Sequence, residues 1–174
     1  MKRALLIISL IFSLSIIASP QGTWTQKDSL PAVARGYGIG FSIGNYGYAG
    51  LGYNSGTTYN DFWRFDPSTN SWAIMDSFPG KARICPATFV IGHKAYVVTG
   101  VDGGINSLNE CWVYDAITNK WTRKNDFPGP ARGYDVGFAI GNKGFIGMGE
   151  DYKTTTLQHI IRIYGNTIRL RIAG

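Results

Sequence analysis

Histidine and cysteine are scarce in this chain, two of each in 174 residues. A histidine-based metal centre needs partners at ligand spacing, and His93 and His159 are 66 positions apart. Cys85 and Cys111 form no CxxC pair. No Ser-His-Asp arrangement and no phosphate-cradling glycine loop is present, so hydrolase and nucleotide chemistry find no support. Acidic side chains are also few, 11 against 17 basic ones. That excess is deceptive. Lys2 and Arg3 sit at the extreme N-terminus, and Arg162, Arg169 and Arg171 in an atypical tail. Those five aside, the charges nearly balance, so nucleic acid, which calls for Lys and Arg clustered on one face, is not an expected partner.

Long apolar runs are missing too, with one exception. Ala4 to Ala18 follows Lys2 and Arg3 without a charge. It is shorter than the roughly 20 residues of a membrane span. A basic start, an apolar middle and a small residue at the end describe a secretory signal over residues 1–18. Cleavage after Ala18 leaves a short linker, 19–23, and a secreted or periplasmic protein with no membrane span.

What the chain does contain is repetition. Leu30 to Gly52, Phe78 to Gly100 and Phe127 to Gly149 are three copies of one stretch, and Trp24, Trp72 and Trp121 precede them in register. A period near 50 residues means a repeat architecture. Each copy opens with Pro and Arg (Pro31/Arg35, Pro79/Arg83, Pro128/Arg132) and runs through Phe41, Phe89 or Phe138. It then turns at Gly44-Asn45, Gly92-His93 or Gly141-Asn142. A two-residue Gly-Asn link between strand-like runs predicts a tight hairpin. A second hairpin follows. Phe62-Trp63-Arg64-Phe65 and Cys111-Trp112-Val113-Tyr114 are aromatic and strand-prone. Asp66 and Asp115 open polar turns, and Trp72 and Trp121 begin fourth strands. Four antiparallel strands and an aromatic core make one propeller blade.

This unit resembles the kelch repeat, the blade type of the galactose oxidase central domain. The resemblance rests on the strand-ending Gly52, Gly100 and Gly149, on Phe65-Asp66 and Tyr114-Asp115, and on the Trp six residues later. One position departs. Where such repeats end their second strand in Gly-Gly, this chain has Leu51-Gly52, Thr99-Gly100 and Met148-Gly149. The resemblance implies an all-β fold, a kelch-type β-propeller fragment of about three four-stranded antiparallel blades: residues 24–71, 72–120 and 121–174. Within a blade Cys85 falls on the innermost strand and Cys111 on the third. Two strand spacings, roughly 9.5 Å, exceed the ~7 Å Cα limit of a disulfide, so two unpaired thiols are expected.

The pattern fails after Gly149, and from about residue 157 two readings are open. In one, the alternating runs around Gly165-Asn166 form a genuine hairpin that completes the third blade. In the other, the tail is out of frame. Read in a second frame under one permissible codon choice, residues 163–174 restore a Tyr-Asp strand and a closing Trp. Either way two complete units and one partial unit form an open arc with two uncovered apolar faces. The chain is then part of a larger propeller, or copies self-associate to close a ring.

Positions that recur in every unit are read first as structural. Arg35, Arg83 and Arg132 suit buried carbonyls or carboxylates; in the alternative reading they ring the central opening and meet an anionic ligand. The tryptophans are assigned to packing between blades. Positions that differ between units are better ligand candidates. The loops joining second and third strands carry Tyr53, Asn54, Tyr59, Asp102, Asn106, Glu150, Asp151 and Tyr152, and loops on a rigid scaffold are where binding sits. Tyr37, Tyr134 and Asp135 lie near the starts of innermost strands, at the same end. Aromatics with amides and carboxylates suit a sugar or a peptide. The expectation is an exported, non-catalytic module binding a protein or glycan, with no cofactor and no metal. The alternatives are a piece of a kelch-type enzyme (a sugar oxidase or sialic-acid epimerase) or a truncated, inactive product. The lack of a histidine pair speaks against the oxidase.

Overall fold

The computed structural model describes residues 22–103, 105–151 and 168–170. The signal segment, Tyr152 and most of the tail lie outside them. No helix occurs among the described residues, and none there is long and apolar enough to cross a membrane.

Blade 1 is a sheet ordered β1-β2-β5-β6, from strands β1 (Ile39–Ile43), β2 (Tyr46–Gly50), β5 (Phe62–Asp66) and β6 (Ser71–Ile74). Between β2 and β5, strands β3 (Tyr53–Asn54) and β4 (Thr57–Thr58) form a small hairpin. Blade 2 repeats the plan with β8 (Ala87–Ile91), β9 (Lys94–Val98), β11 (Cys111–Asp115) and β12 (Lys120–Lys124). Short strands β7 (Arg83–Ile84) and β10 (Val101–Asp102) pair at one end of it. In blade 3, β13 (Gly133–Ile140) and β14 (Lys143–Glu150) are joined by β15 (Ile168–Leu170), which pairs antiparallel with Gly144–Ile146 as a third strand. Every pairing is antiparallel. Trp72 and Trp121 sit in fourth strands, so each sheet runs one strand past the start of the next sequence repeat.

The hairpins arise where the Gly-Asn and Gly-His links stand. Ile43 pairs with Tyr46 and Ile91 with Lys94, leaving two-residue loops. Gly44, Gly92 and Gly141 hold φ near +60° in the first loop position. That is the type II′ requirement, which matches the twist of the flanking strands.

The core lies between blades, not within them. One cluster joins Ile39, Ile43, Tyr48, Leu51 and Phe62 of blade 1 to Phe78, Ala95, Val97 and Tyr114 of blade 2. A second joins Phe89, Tyr96, Val98, Cys111 and Val113 of blade 2 to Phe127 and Ile146 on the blade 3 side. Strands are two-faced, so a blade can bury both faces only against neighbours. Trp121 fills the first seam, edge-on to Phe62 and Phe78 at 5.1 Å each. The other tryptophans differ from the expected inter-blade role. Trp72 packs on Phe65 of its own blade and donates to the Asp28 carbonyl oxygen at 2.9 Å. Trp24 is fully exposed, at 102%. Its register is that of a fourth strand, and among the described residues no preceding strands accompany it.

Candidate functional site

Inner strands β1, β8 and β13 begin at the end of the molecule that also carries the loops between second and third strands. Gly36 bridges Tyr53, Arg83–Ile84 pair with Val101–Asp102, and Gly133 pairs with Glu150. One rim therefore collects the sequence candidates.

The three arginines staple this rim from behind. Arg83 is wholly buried. Its guanidinium donates to the Thr99 carbonyl oxygen at 2.8 Å and to Glu110, and it lies over the Phe78 ring. Burial pulls its pKa below the ordinary value, against the pull of Glu110. Arg35 does the same with the Leu51 carbonyl oxygen, with both oxygens of Asp61 and with the Tyr59 ring. Burial opposes ionisation of Asp61, yet hydrogen bonds from Arg35 and Trp63 hold it below the usual carboxylate range. Arg132 donates to the carbonyl oxygens of Met148 and Pro130 and lies over Phe127. In all three, one accepting carbonyl belongs to the residue where a repeat glycine is replaced.

Those replaced positions are left-handed: Leu51, Thr99 and Met148 hold φ of 58°, 66° and 65°. The backbone thus keeps the conformation of a Gly-Gly corner without the first glycine. Each such L-residue stores roughly 1–2 kcal/mol of strain, held in place by the arginine behind it.

A second left-handed set lines the front. Tyr37, Cys85 and Tyr134 have φ of 60°, 49° and 59°. The Cys85 N–H donates to the Tyr37 carbonyl oxygen and the Tyr134 N–H to that of Cys85, at 3.0 Å each. A row of backbone bonds thereby runs from blade to blade across the inner strands. Behind it, the Gly52 N–H donates to the Arg83 carbonyl oxygen and the Gly100 N–H to that of Arg132. The side chains of Tyr37 and Tyr134 are exposed on this row, and Cys85 between them is half-buried. Neither thiol is in a disulfide. Burial raises the pKa of Cys85, and that of the buried Cys111 to about 11.

The loop candidates divide. Tyr53 is exposed at the rim, and Asn54 donates its amide to the Ala34 carbonyl oxygen at 2.7 Å. The carboxylate of Asp102 accepts from the Asn106 backbone and side-chain nitrogens at 2.9–3.1 Å, with Lys81 Nζ at 3.5 Å. Those bonds shape the loop itself. Tyr59 lies against Arg35. Glu150 ends β14, Asp151 follows it, and both are half-buried. Among the described residues no group of three His, Cys, Asp or Glu side chains could hold a metal ion.

Asp135 does not face the opening. It is buried in the seam between blades 2 and 3, with both carboxyl oxygens within 2.9 Å of Thr99 Oγ1. Thr99 Oγ1 also contacts the Val98 carbonyl oxygen. One hydroxyl proton cannot serve both partners. When protonated, Asp135 satisfies both: its own proton goes to Thr99 Oγ1, and the Thr99 proton to Val98. Burial, only partly offset by hydrogen bonds, raises the Asp135 pKa to about 6. Sequence reasoning missed this because its counterparts in register, Gly38 and Pro86, are not acids. The left-handed rim row was missed for a related reason, since Tyr, Cys and Tyr share no obvious backbone preference. Its recurrence two residues after each repeat arginine was the available signal.

The Kelch motif is matched over residues 52–79 and 82–128. The chain is 37% identical over 87 residues to an N-acetylneuraminate epimerase of Shigella sonnei (strain Ss046) and to one of Escherichia coli (strain K12). It is equally similar to N-acetylneuraminate epimerase 2 of Escherichia coli O6:H1. Each match covers 47% of this chain and 24% of the relative, so the matched part spans about a quarter of those proteins. The chain carries kelch repeats, and its antiparallel sheets are blades of the kelch type.

Proposed function

We propose that this chain is an exported kelch-repeat module that binds a sugar at the rim where its inner strands begin. The carrying observation is the row Tyr37, Cys85, Tyr134. Two exposed tyrosines stand on blades 1 and 3, joined through Cys85 of blade 2 by backbone bonds that fix their spacing. A tyrosine offers an apolar face for a pyranose ring and a hydroxyl for its substituents. Tyr53 stands at the same end. The arginines contribute by holding the rim, because all three donate to its carbonyls and Arg35 and Arg83 to carboxylates as well. The relatives named for N-acetylneuraminate make that sugar the first ligand to try.

The test is a titration of the purified chain with N-acetylneuraminate, followed by tyrosine and tryptophan fluorescence. Saturable binding is expected, lost in the Tyr37→Ala/Tyr134→Ala double variant at an unchanged melting temperature. No saturation up to about 10 mM, with retention of a protein from the medium on immobilised chain instead, would replace the sugar by a protein ligand. Mass spectrometry of the exported protein checks the signal: the first residue should be Ser19.

A second reading is favoured by the same relatives, namely that the rim is part of an epimerase site. The measurement is NMR of N-acetylneuraminate with and without the chain. Interconversion of epimers faster than in buffer would establish it. Neither binding nor turnover would leave the inactive product.

A further inference from the structure

We propose that two copies of this chain close head to tail into one ring, the outer face of blade 3 in each docking on the open face of blade 1 in the other. The inference stands apart from the ligand at the rim; it rests on how one blade meets the next.

Every blade presents the same knob to its successor. It is a stacked aromatic pair: Phe41 with Tyr48, Phe89 with Tyr96, and Phe138 with Phe145, at 5.5, 4.8 and 5.3 Å. The first two pairs are covered by the following blade. The third is not. Phe138 is 48% exposed, with Val136 and Ile140 beside it on the same face at 51% and 63%.

Every blade also presents a socket to its predecessor, and its depth is set by two positions. Blade 3 receives Phe89 on Gly144, where an added Cβ would overlap the Phe89 ring, and meets the Thr88 backbone through Gly137. The register equivalents in blade 2 are Ala95 and Thr88. In blade 1 they are Gly47 and Gly40. The open face of blade 1 therefore carries the Gly/Gly socket that accepts a stacked pair in the seam between blades 2 and 3. A Cβ at either glycine would meet only ordinary contacts from blade 1 itself. The nearest atoms to a Cβ built there are Phe65 Cβ at 3.7 Å and the Tyr48 carbonyl oxygen at 3.8 Å, both within blade 1.

The backbone continues the same match. Gly52 N–H meets the Arg83 carbonyl oxygen and Gly100 N–H meets that of Arg132. The next such pair in register is Gly149 N–H of one copy and the Arg35 carbonyl oxygen of the other. Trp24 adds a third element. It holds the register of a fourth strand ahead of blade 1, and the described strands of blade 3 number three. In the ring, Trp24 of each copy stands beside blade 3 of the other.

This contact is heterologous, and such contacts either close or grow into filaments. The described blades of two copies number six, within the roughly four to eight around which propellers close. Closure after two is therefore expected.

The experiment is light scattering on the purified chain across a range of concentrations. The expected result is twice the monomer mass, falling to the monomer on dilution and never rising above the dimer. Phe138→Asp on the knob and Gly47→Leu in the socket should each give monomer at every concentration. Near-UV circular dichroism should show that Phe138→Asp, whose side chain is exposed in the single chain, keeps its packing. Val136→Lys on the same face should raise the dimer dissociation constant at least tenfold. A wild-type chain that stays monomeric, a dimer that survives Phe138→Asp, or open-ended growth would each overturn the proposal. Loss of the dimer with sugar binding intact, or the reverse, separates this proposal from the rim reading.

Discussion

Phe89 and Phe138 occupy the same position in neighbouring blades, each stacked on an aromatic of its own hairpin. Phe89 is 4% exposed and Phe138 is 48% exposed. Among the described residues, blade 2 has a neighbour on each side and blade 3 has one. A kelch hairpin does not contain its own core. It contributes half of a core, and the other half comes from the next repeat. Stability therefore belongs to seams, and a residue's worth depends on which seam it faces.

The most forceful way to break this comparison is to truncate both rings. Phe89→Ala should cost about 3–5 kcal/mol, because it opens a cavity in a closed seam. Phe138→Ala, measured at concentrations where the chain is monomeric, should cost under about 1 kcal/mol. Denaturant melts of the two variants check it, and equal losses would mean that the outer face of blade 3 is covered within the single chain.

Asp135 sharpens the comparison with a feature that only one seam has. Its pKa is raised in the folded chain, to about 6 from 3.8. Between those values the unfolded chain holds fewer protons than the folded one. Stability therefore falls as pH rises through that window and levels off above the folded pKa. The full effect corresponds to about 3 kcal/mol. Asp135→Asn should remove it. The variant should gain stability over wild type at pH 8 and gain little at pH 4, as thermal melts at both pH values would show. A constant difference at the two pH values would mean that Asp135 is ionised in both states.

The smallest expected effect separates the left-handed corners. Met148 is 69% exposed and Leu51 is wholly buried, though both sit at φ near +60°. Met148→Gly relieves strain and loses little packing, for a gain of about 0.5–1 kcal/mol after the entropy cost of glycine. Leu51→Gly relieves the same strain but gives up burial worth about 1.5–3 kcal/mol, so it should destabilise. Chemical melts of the pair would check the sign as well as the size.

Much of this was legible beforehand. The 48- and 49-residue register, the Gly-Asn links and the Phe/Tyr-Asp strands led directly to antiparallel four-stranded blades. The loops were also assigned to the correct end, because strand direction alone determines which loops share it. The candidate site was less legible. Asp102 reads as a ligand group, and its carboxylate also accepts from Asn106 and lies 3.5 Å from Lys81 Nζ. Asp135 looked like a rim group and is buried. For Asp135 the deciding quantity is where a side chain turns at a strand end, and one residue of register reverses that.

By itself, the sequence determined the repeat, the strand pairing within each blade and the turn type, because these follow from local chemistry. Glycine is needed where φ is positive, aromatic and branched residues favour strands, and direction alternates at each tight turn. Only the tertiary structure decided which arginine is fully buried, which carboxyl has its pKa raised and which aromatic pair stands open. Those properties depend on desolvation by a neighbour some 49 residues away, and on whether that neighbour is present at all. A blade can specify its own shape. It cannot specify its own burial, since half of every seam is supplied by another repeat.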